Sequence, residues 1–244
     1  MLFLSACAQF SVEVPRPEEP KPAQLAEERT TMKITIVYDN EVKKQGLKAD
    51  WGFSCFIEGQ NIPPILFDTG ASSSILLHNM KELGISPSTI GIIVISHSHF
   101  DHTGGLQGIL ELNEDARLYL PASFYRAIPG RNVVKVKDAC QICDNVFTTG
   151  ELRSIEQSLA LKTDKGVLLV VGCSHPGVGN IMDAAAEFGT VYGIVGGFHG
   201  FSDFARLNDL SLICPCHCTQ YKQEIMKLFP QECLDCGAGL VLEL

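Results

Sequence analysis

The sequence has few aromatic residues, a single tryptophan and no long uninterrupted apolar stretch. Only 8% of its 244 residues are Phe, Trp or Tyr. Charged or turn-forming residues interrupt each apolar segment well short of the roughly 20 residues that a membrane-spanning helix needs. The pattern therefore argues against a transmembrane segment.

Basic residues are also scarce. Lys and Arg total 19 against 28 Asp and Glu, which gives a net charge of −9, and no run of Lys or Arg occurs. Because a nucleic-acid backbone is bound through cations that neutralise its phosphates, we predict no nucleic-acid partner. The length and the 45% apolar content predict one globular domain, with or without a tail.

Residues 1–31 differ in composition from the remainder. After a short apolar start they are rich in Pro and Glu, so we predict a signal-like start and a disordered tether here, and one folded domain over 32–244. Leu4 to Cys7 matches a bacterial lipobox, whose cysteine is lipidated. Only six residues precede Cys7 and none is basic, so the match to a secretory signal is incomplete. We therefore expect either a membrane-anchored lipoprotein or periplasmic protein, with Cys7 as the lipid anchor, or a cytoplasmic protein.

From residue 32 onward, extended and helical patterns alternate. Helical spacing of apolar residues predicts four helices, over residues 73–84, 104–113, 178–189 and 220–229. Apolar or alternating segments predict strands over residues 33–39, 52–58, 64–70, 89–97, 116–121, 166–175, 190–199 and 240–244. Strands followed by helices in two halves predict an α/β fold in which two sheets carry helices on their outer faces.

Three histidines and one aspartate fall within six residues, His97 to His102, directly after the apolar segment 92–96. Imidazole and carboxylate are ligands that cations such as Zn²⁺ prefer, and catalytic metal sites keep a position open for water. So many imidazoles and carboxylates are costly to desolvate together without a cation. A metal site is therefore favoured over a solvated polar turn.

Further segments accompany this His-x-His-x-Asp-His motif, namely ILFDTG at 65–70, GCSH at 172–175 and HCT at 217–219. Together they resemble the metallo-β-lactamase superfamily over residues 32–244. The strings are also similar to a branch of dihydropterin ribofuranosylaminobenzene phosphate synthase-like metal-dependent hydrolases. The resemblance implies a four-layer αβ/βα sandwich with a dinuclear metal site at one edge, between the two sheets.

The resemblance also implies a ligand set for two divalent metal ions, zinc in the first place and Mn or Fe as alternatives. Asp68 would be an outer residue that orients a ligand, since bound imidazoles usually donate their second N–H to such an acceptor. The alternative for Asp68 is a turn residue. The implied ligands are His97, His99 and His175 for the first ion and Asp101, His102 and His217 for the second.

One position departs from the family pattern. The superfamily often bridges its two metals with a carboxylate, and the corresponding segment 190–199 offers His199 instead. An imidazole does not bridge two cations in this way. We therefore consider His199 as a metal ligand, as a catalytic or substrate-binding group that transfers a proton, or as a structural residue, with Asp203 as the nearest acid after it.

The implied activity is metal-dependent hydrolysis of a small-molecule ester, thioester, lactam or phosphoester. The ions would lower the pKa of a bound water from 15.7 toward about 7, and Asp101 would accept its proton. One alternative is a transferase that joins a dihydropterin to an aminobenzene ribotide phosphate. A further alternative is a non-catalytic metal-binding or redox-sensing module.

The ten cysteines allow several interpretations. If residues 214–218 are extended, Cys216 and Cys218 face the core, opposite His217. Cys173 likewise fits a small buried residue. The spacing of two pairs fits disulfides, one closed metal site or free thiols. These pairs are Cys140 with Cys143 and Cys233 with Cys236.

Overall fold

The computed structural model describes residues 31–244, so the tether and the lipid anchor at Cys7 fall outside the described residues. The five α-helices of this part are α1 (Ser73–Glu82), α2 (Phe100–Thr103), α3 (Leu106–Leu112), α4 (Val178–Ala185) and α5 (Lys222–Leu228). Its thirteen strands are β1 (Met32–Tyr38), β2 (Ser54–Gly59), β3 (Ile65–Phe67), β4 (Ile92–Val94), β5 (Arg117–Pro121), β6 (Val133–Val136), β7 (Cys140–Cys143), β8 (Val146–Thr148), β9 (Leu159–Thr163), β10 (Gly166–Val171), β11 (Val191–Gly197), β12 (Leu212–Cys216) and β13 (Val241–Glu243).

Two mixed sheets lie at the centre of the fold. The first has the strand order β13-β1-β2-β3-β4-β5-β6, and the second has the order β12-β11-β10-β9-β8-β7. Strands β3 to β6 are parallel in the first sheet, and β10 to β12 are parallel in the second. Because parallel strands end at one edge of a sheet, the loops that follow them are brought together there.

Helices cover the outer face of each sheet. Ile34 and Phe67 of the first sheet share a buried core with Leu168 and Val170 of the second. Helices α1 and α3 pack on the other face of the first sheet, and α4 and α5 on that of the second. The predicted four-layer αβ/βα sandwich is therefore confirmed. No helix within residues 31–244 is long and apolar enough to cross a bilayer.

Of the three predicted arrangements of the two cysteine pairs, the free thiols are found for three of the four residues. Cys236 is bonded to Cys216, at the end of β12, rather than to Cys233. Cys140, Cys143 and Cys233 are free thiols. Among residues 31–244, neither Cys140 nor Cys143 belongs to a group that is able to hold a metal. A closed metal site built from the two pairs is therefore wrong.

Removal of the disulfide is expected to lower the free energy of unfolding by about 3 kcal/mol, because the bond closes a loop between residues 20 positions apart. Urea denaturation of the double variant Cys216→Ala/Cys236→Ala measures this loss. The control is Cys140→Ala, which removes an exposed free thiol and should change stability by less than about 0.5 kcal/mol. Equal stability of the two variants would contradict the pairing.

Candidate metal centre

The candidate residues follow the ends of strands, at one edge of the two sheets. Asp68 follows β3, and the segment His97 to His102 follows β4 and enters α2. Cys173 and His175 follow β10, and His217 follows β12. The parallel arrangement of these strands therefore positions five loop residues or segments from distant parts of the sequence around one point.

Three imidazole nitrogens converge in a first group. His97 Nε2 lies 3.0 Å from His99 Nδ1, and His175 Nε2 lies 3.2 Å and 3.1 Å from these two atoms, respectively. A tetrahedral zinc ion with Zn–N bonds of about 2.0–2.1 Å separates its nitrogen ligands by about 3.3 Å. The spacing of the three donors therefore fits one tetrahedral cation.

The hydrogen bonds of His97 fix the tautomer that leaves its Nε2 free to bind a cation. Ser96 Oγ donates to Asp68 Oδ2 at 2.7 Å, so it accepts the N–H of His97 Nδ1 at 2.9 Å and leaves a lone pair on Nε2. Burial and the charges of nearby histidines lower the pKa of His97 far below its usual range, and they lower that of His175 to about 4. Both rings are therefore neutral at pH 7, as metal binding requires.

A second group lies beside the first and contains Asp101, His102, Cys173 and His217, whose ligand atoms are all within 4.8 Å of one another. His217 Nε2 lies 3.0 Å from Asp101 Oδ2, and His102 Nε2 lies 3.8 Å from the same oxygen. The rings of His97 and His102 are 4.2 Å apart, centre to centre. The two groups are therefore neighbours that share one cleft.

The charges of the second group are coupled. Burial raises the pKa of Asp101, but the hydrogen bond with His217 and the charge of His102 outweigh it, so the net pKa is well below the usual range. Burial lowers the pKa of His102, yet the carboxylate of Asp68 more than compensates and raises it. A carboxylate that is ionised at pH 7 therefore faces this group, as a divalent cation requires.

Asp68 is fully buried and is connected to the second group directly and to the first group through Ser96. Its carboxylate accepts the backbone N–H of Ser96 at 2.7 Å, the hydroxyl of Ser96 and the N–H of His102 Nδ1 at 2.7 Å. It thereby orients His102 directly and His97 through Ser96. The geometry agrees with the predicted orienting role and leaves Nε2 of each ring facing the cleft.

Asp68→Asn is expected to weaken metal binding at the second group by about 10–100-fold and to affect the first group less. The introduced amide would donate to His102 Nδ1 and move the ring proton to Nε2, which faces the second group. Ser96 Oγ would lose Oδ2 as its acceptor too, so the substitution reaches His97 of the first group only indirectly, through this hydroxyl. Metal titration of Asp68→Asn and of the exposed control Asp164→Asn measures the difference, and equal loss at both groups would contradict this tautomer argument.

His217 is held by two residues that the sequence patterns do not single out. Asp39 Oδ1 accepts the backbone N–H of His217 at 2.8 Å, and Asn40 Oδ1 accepts its Nδ1–H at 3.0 Å. Burial raises the pKa of Asp39 to about 6. Both residues directly follow β1, so their position after a predicted strand is the sequence feature that could have indicated them.

The loop after β10 is built around Glu156, which sequence reasoning also misses. Its Oε1 accepts the backbone N–H groups of residues 172, 173 and 174 at 2.9–3.1 Å, and Oε2 accepts that of His175 at 2.8 Å. Burial raises the pKa of Glu156 to about 7, and the amide donors limit the rise. This carboxylate fixes the backbone that carries His175.

Trp51 lies beside the second group, and Phe100 is an exposed neighbour of Asp101 in the sequence. The indole Nε1–H of Trp51 donates to Asp101 Oδ2 at 3.0 Å, and its ring centre lies 4.7 Å from that of His217. Trp51 is 55% exposed and Phe100 is 70% exposed. The sole tryptophan is therefore a natural fluorescence reporter of the second group.

His199 lies outside both groups of ligand atoms. It is exposed and has a φ of 46°, and its ring centre is 5.0 Å from that of His175. Its interpretation as a metal ligand is therefore not supported by this geometry, because the end of β11 carries the ring to the rim of the cleft. An exposed ring at this position is able to contact a substrate or transfer a proton.

The predicted alternation of residues 214–218 holds only in part. Cys216 lies in the core between the sheets, as alternation predicts. Strand β12 ends there, and His217 has a φ of 46°, so the alternation does not continue to Cys218. Cys218 instead lies against Cys173, with its Sγ 3.8 Å from the carbonyl oxygen of that residue. Cys173 is buried, but its thiol faces the second group rather than the core.

Comparisons with known proteins agree with this architecture. A family profile described as the metallo-β-lactamase superfamily matches residues 55–130. The 7,8-dihydropterin-6-methyl-4-(β-D-ribofuranosyl)-aminobenzene-5'-phosphate synthase of Methanocaldococcus jannaschii is 28% identical, over 73% of this chain and 84% of that relative. An uncharacterized protein of the same organism is 26% identical, over 78% of this chain and 91% of its own length.

Two solved structures are similar in fold. One is a metal-dependent hydrolase of the β-lactamase superfamily, with a TM-score of 0.69, 27% identity and coverage of 87% of this chain and 99% of that one. The other is the metallo-β-lactamase fold protein YhfI from Bacillus subtilis, with a TM-score of 0.63, 10% identity and coverage of 88% and 100%, respectively. In its fold, its sequence relatives and its motifs, the chain is similar to the metallo-β-lactamase superfamily, whose fold implies the binding of divalent metal.

Proposed function

We propose that this protein is a hydrolase that uses two divalent metal ions on an ester, thioester, lactam or phosphoester of a small molecule. The observation that carries the proposal is the pair of adjacent ligand groups in one cleft, linked by the neighbouring rings of His97 and His102. Similarity to a metal-dependent hydrolase of the superfamily supports it.

Zinc is the ion we propose, because imidazole nitrogen and carboxylate oxygen together suit it, and manganese or iron are the alternatives. Bound ions would activate water and polarise the carbonyl or phosphoryl group of the substrate. The tetrahedral spacing of the three imidazole nitrogens supports zinc at the first group.

The chain's own residues would then divide two tasks between them. Asp101 is ionised and within hydrogen-bonding distance of His217 and Trp51, so it would orient the attacking water and accept its proton. His199 is exposed beside His175, where its ring would contact the substrate or supply a proton to the leaving group.

The test combines metal analysis with a panel of chromogenic substrates. Protein purified without added metal is analysed for bound ions and assayed on a carboxylic ester, a thioester, a β-lactam and a phosphodiester. The assay is repeated after treatment with a chelator and again after zinc is restored. We expect two ions per chain and a turnover that is lost and regained with them. Turnover that survives complete removal of metal would refute the proposal.

A transferase is the second candidate, because a relative at 28% identity is named as a synthase that makes a dihydropterin-aminobenzene phosphate compound. The metal-loaded protein should be incubated with a dihydropterin and an aminobenzene ribotide phosphate, and the joined product sought by mass spectrometry. Product formation, with no turnover on the hydrolytic panel, would favour this candidate.

We also propose a lipid anchor at Cys7 and a location outside the cytoplasm. The disulfide between Cys216 and Cys236 supports such a location, because disulfides persist in oxidising compartments. Labelled fatty acid should be incorporated by the wild type and not by Cys7→Ser. The absence of label in both would favour the cytoplasmic alternative.

A further inference from the structure

The second ligand group contains the thiol of Cys173, which lies within the GCSH segment but has no role in the implied ligand set or in the proposed function. We propose that Cys173 binds the second metal ion as a thiolate, together with Asp101, His102 and His217. This inference rests on the proposed function, because it concerns the ion that the second group would hold.

The position of the sulfur carries the argument. Cys173 Sγ lies 3.1 Å from His102 Nε2 and within 4.8 Å of the ligand atoms of Asp101 and His217. His102 Nδ1 is already bonded to Asp68 at 2.7 Å, so only Nε2 faces the sulfur. A cation beside these two atoms would be within reach of both.

The backbone holds Cys173 in this position. Its N–H donates to Glu156 Oε1 at 3.0 Å, as do the N–H groups on either side of it in the sequence. Ser174 has a φ of 60°, and its hydroxyl donates to the carbonyl of Gly197 at 2.7 Å. This turn directs Cys173 to the second group and His175 to the first, so one rigid loop serves both.

Other residues near the cleft are less suited to be the fourth ligand. His199 takes the place of the bridging carboxylate that the family pattern leads one to expect, and it lies outside both groups. Cys218 is also outside both groups, although its sulfur is hydrogen-bonded to the free thiol of Cys173. The Cys173 thiol donates this hydrogen bond, and Cys218 would remain an outer neighbour of the ligand when an ion binds.

The charge and proton balance of the proposed step is simple. The metal–sulfur bond forms as the S–H bond of Cys173 breaks, and the proton passes to solvent, with no oxidant or reductant involved. The thiolate and the carboxylate of Asp101 then neutralise the two positive charges of the ion. This balance offsets the cost of holding a divalent ion beside the buried rings of His102 and His97.

The test measures sulfur coordination rather than activity. The zinc-loaded protein is examined by X-ray absorption, in which a zinc–sulfur shell appears at about 2.3 Å. The cobalt-loaded protein is examined for a thiolate-to-cobalt charge-transfer band in the near ultraviolet. We expect both signals in the wild type and in the control Cys218→Ser, and neither in Cys173→Ser. The variant Cys173→Asp should bind two ions without either signal.

Three outcomes would overturn the inference. If Cys173→Ser keeps the sulfur shell and Cys218→Ser loses it, Cys218 is the ligand. Two bound ions with only nitrogen and oxygen neighbours in the wild type would refute the role of Cys173 and leave the proposed function intact. The absence of any bound ion would refute both. Retention of two ions by Cys173→Asp shows that loss of the signal in Cys173→Ser does not come from misfolding.

Discussion

Replacement of Asp101 with asparagine is expected to lower turnover by about 10²–10⁴-fold, the range for loss of a proton-transferring group. Asp101 Oδ2 is the one oxygen that approaches His217 Nε2, His102 Nε2 and the indole of Trp51. The amide has no charge and a far weaker affinity for protons, so the variant would lose both the ion at the second group and the proton acceptor. Steady-state kinetics at saturating zinc measure the loss.

Trp51→Phe is the matched control for Asp101→Asn. It removes the indole hydrogen bond to Asp101 and leaves the carboxylate in place. A hydrogen bond to a charged group contributes about 1.5–3 kcal/mol, and the exposure of Trp51 places this one at the low end, so turnover should fall by about tenfold. If both variants lose turnover equally, Asp101 acts through its contact with Trp51 rather than as a proton acceptor or ligand.

The fold could be predicted from the sequence where apolar segments are long and continuous. The segments that form β4, β10 and β11 are buried strands of this kind, and the helical spacing of residues 178–189 marks α4. The strands between Val133 and Thr163 could not be predicted. They are short, and pairing with neighbours stabilises them rather than their own patterns: β6 pairs in parallel with β5, and β7, β8 and β9 pair antiparallel.

In the candidate site, too, the residues that could be predicted lie close together in the sequence, and those that could not depend on contacts between distant segments. The spacing within His97 to His102 is local, so the motif is recognisable from the order of its residues alone. The roles of Asp39, Asn40 and Glu156 depend on hydrogen bonds across 16 to 178 positions of sequence, which no local pattern contains. Cys173 is a further case, because a small buried residue and a metal ligand have the same sequence pattern.

Each sheet has its own buried carboxylate that holds the loops of the cleft in place, and the loops of the two sheets meet at Gly172. Asp68 and Ser96 belong to the first sheet's loops, whereas Glu156 organises the loop of the second. A Cβ atom at Gly172 would collide with Ser96 Oγ, so the two loops approach each other as closely as backbone allows. Disruption of either carboxylate should therefore disturb both ligand groups.

Glu156→Ala is expected to lower the free energy of unfolding by about 4 kcal/mol or more. The substitution leaves four backbone N–H groups of residues 172–175 without their acceptor, and each unsatisfied buried donor costs about 1–3 kcal/mol. Such a loss is a large fraction of the stability of a typical domain. Urea denaturation measures it in the metal-free protein.

Glu156→Gln distinguishes the effect of the hydrogen bonds that Glu156 accepts from the effect of the volume that its side chain fills. The amide oxygen of the introduced side chain would keep the three acceptor contacts to residues 172–174, while its NH₂ group would face the N–H of His175. One lost contact should cost about 1–3 kcal/mol, so the expected order of stability is wild type, Gln and then Ala. Because the single lost contact lies at His175, the Gln variant should also bind metal more weakly at the three-histidine group than at the second. Equal stability of the Gln and Ala variants would show that the hydrogen bonds to residues 172–175 do not contribute to stability.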